Sequence, residues 1–166
     1  MSPATRYRPL RAGALERRAR INRLNLTTPL GLAIARFGGA RLRPGPDGLL
    51  LAEGYRPRFP VAGAFTIGNV VTTKGTFEAL AEAIPDVMAH ESRHASQYSK
   101  LGLAFLPAYG LAASWSWLRS GDLALRNVFE KNAGLVSGGY VRPGVVPAGR
   151  PASALVTSWL RRARRG

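Results

Sequence analysis

The sequence predicts an α+β fold: a small antiparallel sheet at about residues 39–73, followed by a helical part that carries a metal-binding motif. Three observations point there. Short extended runs separated by Pro, Gly and Asp turn clusters occupy residues 39–73. Beyond Gly75 the pattern turns helical. The only two histidines, His90 and His94, stand four apart inside that helical part, a spacing that returns side chains to one face of a helix.

Composition bounds the rest. A chain of 166 residues can bury one core, and 46% hydrophobic residues are normal for a globular domain. The formal charge is +15, from 24 basic and 9 acidic residues, and arginine supplies 21 of the 24. Such a field attracts anions. Weak association with an acidic membrane surface is therefore expected. Nucleic acid is an unlikely partner, because no recognisable nucleic-acid-binding pattern accompanies the charge. Cysteine is absent, which excludes disulfides, thiolate metal sites and cysteine nucleophiles. The apolar segment nearest the start, Leu24 to Ala35, is interrupted by Asn25, Thr27, Thr28 and Pro29. It makes a poor signal sequence, and a cytoplasmic location is expected.

Residues 1–27 read as a basic arm, partly helical at best; residues 1–23 hold seven arginines and one acid, Glu16. A metal-binding domain is expected over 28–140. It opens on a short apolar helix at 28–38, with Pro29 in its first turn. RLRPGPDGLLLAEG follows as two extended runs about a Pro-Asp-Gly turn, a hairpin signal. FPVAGAFTIGNVVTT reads as a further strand, bent at Gly68-Asn69. Thr76 is placed to cap FEALAEA, and Pro85 opens a helix over about 85–100 that Gly102 ends. Helices are expected at about 104–119 and 123–136, the last stopping before Gly138-Gly139. Residues 141–166 read as a linker, RPGVVPAGRP, and a basic helix, SALVTSWLRRARRG.

The helix at 85–100 contains H-E-S-R-H. Imidazoles at i and i+4 can hold one small cation from one side, and zinc suits imidazole nitrogen. Glu91 sits about 100° round the helix from His90, within reach of a water on such an ion. A carboxylate there can take the proton of a water attacking a carbonyl. Catalytic zinc ordinarily takes three protein ligands. With no third histidine, a carboxylate must complete the set, and downstream of His94 only Asp122 and Glu130 exist. Asp122 lies in RSGDLA, where aspartate serves as a helix cap. Glu130 lies within a helix whose small residues Ala133 and Gly134 share its face and permit close packing. The expected metal ligands are therefore His90, His94 and Glu130, the metal Zn2+, and the catalytic base Glu91. Gln97, three past His94, can hydrogen-bond a ligand, and Tyr140 can offer a phenol to an oxyanion.

HESRHASQ followed by FEKNAG resembles the gluzincin class of metallopeptidases, which carry HExxH on one helix and a glutamate ligand on a later one. It also resembles small bacterial proteins with an HExxHxxQ helix, an apolar Leu-Pro segment and an E-x-x-A frame. The likeness covers about residues 60–140. It implies His90, His94 and Glu130 as ligands, Glu91 as base, and a strand, here AFTIGNVV, lying over the active helix to bind extended peptide. The chain has no length for the large second subdomain of that class. The function expected is that of a zinc-dependent, peptidase-like hydrolase acting on a peptide or protein. The alternative is a non-catalytic basic protein, membrane-peripheral or nucleic-acid-associated, with a structural or degenerate metal site.

Leu101 to Leu118 is uncharged and bounded by Lys100 and Arg119, long enough for a membrane span. A span would separate His94 from Glu130, so the metal reading requires this segment to fold back; a buried helix is expected, with contact at a membrane interface as the alternative.

Overall fold

A computed structural model describes residues 12–58, 60 and 62–141. The basic C-terminal helix expected within 141–166 lies outside the described residues, apart from Val141 itself. The chain divides into two compact units, residues 1–105 and 106–166.

The first unit holds the sheet. Strands β1 (Arg41–Pro44), β2 (Leu50–Glu53), β3 (Ala64–Ile67) and β4 (Val70–Thr73) pair in the order β1-β2-β4-β3. The expected hairpin forms between β1 and β2, where Arg41 faces Glu53 and Pro44 faces Leu50. Its turn, Pro46–Gly48, places Asp47 and Gly48 at φ 54 and 67, a conformation Asp and Gly tolerate best. Two expectations are corrected. The sheet is mixed rather than antiparallel, because β2 and β4 run parallel, with Leu51 beside Val71. And Gly68-Asn69 is not a bend within one strand but the two-residue turn of a second hairpin, β3–β4. Gly68, at φ 62, supplies the first central position of that turn. A Cβ there would meet the backbone of Thr27 and Thr28 at 2.4–2.5 Å. The hairpin turns β3 outward to the sheet edge and leaves β4 to lie alongside β2.

Alternation along β2 and β4 builds a core on each face of the sheet. Val70 and Ala52 pack with Ala35 of α2 (Thr27–Phe37). Val71, Leu51 and Leu49 pack with Phe77 of α3 (Phe77–Ala83) and Ala95 of α4 (Val87–Leu101). All four residues of β4 are buried, as a strand covered on both faces requires. Thr76 caps α3 as expected, accepting from the Ala79 N–H at 3.3 Å. Glu53 accepts from the Phe77 N–H and from Arg43. The Arg43 guanidinium, then that N–H, hold its carboxyl below the usual carboxylate range.

Residues 12–24, expected within an arm partly helical at best, form α1 (Ala12–Leu24) and pack against α4. Two polar side chains explain the docking. Arg18, 3% exposed, donates to the Ser92 carbonyl at 3.0 Å, to Ser92 Oγ at 2.8 Å and to the Asp47 carbonyl at 2.5 Å. Asn22, fully buried, donates to Asn69 Oδ1 at 2.6 Å and to the Ala95 carbonyl at 2.8 Å. A basic count along the segment conceals these two contacts.

The second unit is built on α5 (Phe105–Ser120) and α6 (Val128–Ala133). The segment 101–118 is helical over most of its length, as expected, but it is not buried. Leu106, Leu111, Trp115, Trp117 and Leu118 are 41–74% exposed. The residues α5 does bury toward its own C-terminal half are Ala113, Ser116 and Ser120, at i, i+3 and i+7. Ser116 donates to the Asp122 carbonyl at 2.7 Å and accepts from the Arg126 N–H at 2.8 Å. The turn after α5 therefore packs on small, hydroxylated side chains, and the large apolar ones are left on the other side.

Candidate metal centre

α4 presents its motif inward. His90, Glu91 and His94 are 2%, 5% and 7% exposed. Burying three ionisable groups is unfavourable unless each finds a partner. His94 Nε2 lies 3.0 Å from His90 Nε2. Two imidazole nitrogens on one tetrahedral zinc, each at about 2.05 Å, stand about 3.3 Å apart, so this helix already holds the pair near ligand spacing. The rings meet edge to face, 4.6 Å between centroids at 84°.

The other nitrogen of His94 is accounted for. His94 Nδ1 lies 2.8 Å from Gln97 Oε1. This contact orients the ring and leaves Nε2 facing His90. Gln97, expected to hydrogen-bond a ligand, contacts His94. Phe105 packs on the His94 ring at 6.2 Å and on Tyr98 at 4.4 Å. Burial pushes the Tyr98 phenol up from its usual range.

Glu91 is held by the sheet. Thr66 Oγ1 of β3 donates to Glu91 Oε2 at 2.6 Å, and both side chains are buried. Thr66 pairs with Val71 across β3–β4 and shares its face, the one α4 covers. AFTI, the strand expected over the active helix, is thus in contact with α4 and is an edge strand of the sheet. Sequence reading gave Thr66 no role. The only available signal was a threonine alternating with apolar neighbours in that strand.

In the second unit Glu130 stands in α6 and is 1% exposed. Asn127 caps this helix, accepting from the Phe129 N–H at 2.9 Å. Tyr109 of α5 donates its phenol to Glu130 Oε1 at 2.5 Å. Its ring stacks on Phe129, 6.3 Å away at 27°. A carboxylate accepting so short a bond is fixed in orientation. Tyr109 was not singled out from the sequence, whereas Tyr140, the phenol that was, is 41% exposed. Asp122 does what its turn context implies, capping the Ala124 and Leu125 N–H groups at 2.7 and 3.0 Å. Comparison with protein-family models, characterised proteins and solved structures finds no match.

Proposed function

We propose that this chain is a zinc-dependent, peptidase-like hydrolase, with His90, His94 and Glu130 as metal ligands and Glu91 as general base. The observation that carries the reading is the imidazole pair: Nε2 atoms 3.0 Å apart, with His94 Nδ1 tied to Gln97. Each of the three is a buried side chain of a type that ligates zinc. Two neutral imidazoles and one carboxylate match a catalytic zinc set, and their hardness and number suit zinc better than calcium or magnesium.

A zinc ion held by these residues would supply Lewis-acid polarisation of a carbonyl and a water of lowered pKa. The chain's own residues supply the rest. Glu91 has one carboxylate oxygen engaged by Thr66, which leaves the other to take the proton of the attacking water and pass it to the leaving amine. Gln97 orients the His94 ring through Nδ1. Tyr109 fixes Glu130. The edge position of β3 suits an extended peptide laid beside it.

A second reading, a metal site with no catalysis, draws on the near-complete burial of Glu91. One experiment separates the two. The purified protein is assayed for zinc and for cleavage of a peptide library, beside His94→Ala and Glu91→Gln. The catalytic reading expects about one zinc per chain in wild type and in Glu91→Gln, loss of zinc in His94→Ala, and a fall in turnover of about 10²–10⁴-fold in Glu91→Gln. Zinc without cleavage in the wild type supports the structural site. A wild type without zinc, or Glu91→Gln at full activity, overturns the hydrolase mechanism.

A further inference from the structure

α5 is built inside out. Beyond Phe105 at its start, the buried residues of α5 are Ala113, Ser116 and Ser120, and Leu111, Ser114, Trp115, Trp117 and Leu118 are exposed. At about 100° per residue the exposed apolar side chains sweep about half the circumference of the helix. Scattered surface leucines need no explanation, but an exposed apolar face with two tryptophans, interrupted by the single polar residue Ser114, does. By length and composition this helical run would also pass for a membrane span, and its most apolar window is only 17% buried.

From this face we infer that α5 lies in the headgroup–acyl boundary of an anionic bilayer, apolar side down, as a monotopic anchor. Charge favours this occupant. The chain carries +15. The lysine and arginines along α5, α6 and the turn between them, Arg119, Arg126 and Lys131, are all exposed, facing only Asp122 among exposed acids. Arg119 stacks its guanidinium 5.4 Å over the Trp115 ring. An aromatic with a cation beside it suits the interfacial layer, where ring and charge meet acyl chain and phosphate at one depth. Topology favours lying over spanning. α6 returns along α5 as far as Tyr109, which bonds Glu130. A spanning α5 would draw exposed Arg126, Lys131 and Asn132 toward hydrocarbon, which charged and polar groups resist. With α5 flat, the α6 side stays in water.

The test is flotation of the full chain with phosphatidylcholine vesicles, with and without about 30% phosphatidylglycerol, at low and high salt, together with tryptophan emission. The expected result is binding to the anionic vesicles with blue-shifted emission, and a part of that binding surviving high salt. Leu111→Ser/Trp115→Ser, both at exposed positions, should keep its circular dichroism and lower partitioning at least about tenfold. Trp117→Ser should lower it less. Leu24→Ser, 71% exposed on α1, should leave it unchanged. Absence of wild-type binding overturns the inference. So does binding that high salt abolishes and the double variant keeps, since basic residues alone would then be the tether. So does a wild-type dimer that the double variant dissolves, since a second copy would then cover the face.

Discussion

α4 and α5 follow one another in the chain, and each breaks the usual rule of burial in the opposite sense. α4 buries His90, Glu91, Ser92, His94 and Gln97. α5 leaves leucine and tryptophan in the open. Buried polar groups and exposed apolar ones are the two departures that carry information. In α4 the departure is matched by partners: Gln97 for His94, Thr66 for Glu91, Arg18 for Ser92. On the exposed side of α5 the one described hydrogen bond is local, from Ser114 to the Gly110 carbonyl. On the readings proposed above, the first helix would be organised around an ion it holds and the second around a bilayer it touches.

The largest effect expected from disturbing this contrast is on stability, through Arg18. Its guanidinium spans the Ser92 carbonyl and hydroxyl and the Asp47 carbonyl from a site 3% exposed. Arg18→Met keeps most of the apolar stem and removes every one of these donors. The expected loss is about 3 kcal/mol, the scale for hydrogen bonds to a charged group whose acceptors are left buried. Urea denaturation at fixed zinc content measures it. A loss below about 0.5 kcal/mol would show that the polar back of α4 does not depend on α1.

Much of this contrast was legible in the sequence, and where it was not, long-range contact is the reason. The helix bounds of α4 and α5, the β1–β2 hairpin and the cap at Thr76 follow from local chemistry: periodicity, Pro and Gly placement, a side-chain oxygen before a helix. The His90–His94 spacing follows from helix geometry alone. Arg18 and Asn22 were invisible because their partners are remote in sequence, at Asp47 and Asn69 and, more than seventy residues on, at Ser92 and Ala95. The β2–β4 parallel pairing was missed because β3 intervenes in sequence but sits at the edge in space. The exposure of α5 was missed for a different reason. An apolar run reads as core by default, and its serines give no clear direction, since Ser116 and Ser120 turn inward while Ser114 is exposed.

A smaller effect is expected at the base. Thr66 holds Glu91 by one hydroxyl, 2.6 Å away. Thr66→Val preserves shape and removes only that donor. If Glu91 works as proposed, kcat falls about tenfold, about 1.4 kcal/mol, with KM and zinc content unchanged, and Thr66→Ser restores most of the rate. A merely structural role would instead appear as lost stability with kcat retained in the folded fraction. That outcome removes Thr66 from the reaction while leaving the zinc ligands in place.

The smallest effect is the one that best sharpens the comparison. Leu111, 74% exposed, lies on the side of α5 away from Ser116 and Ser120. Replacing a core leucine by serine would remove buried area, leave a cavity and bury a hydroxyl, for a loss of several kcal/mol. At Leu111 none of these terms applies, because the side chain already meets solvent. Leu111→Ser is therefore expected to change stability in lipid-free buffer by no more than about 0.5 kcal/mol, from the modest difference in helix propensity. Thermal melts of the two proteins, without and then with anionic vesicles, read the difference. Near-identical melts in buffer that separate once lipid is added would assign the leucine to the bilayer. A large loss in buffer would instead assign it to the fold, and α5 would then be an ordinary core helix whose cover lies within the chain itself.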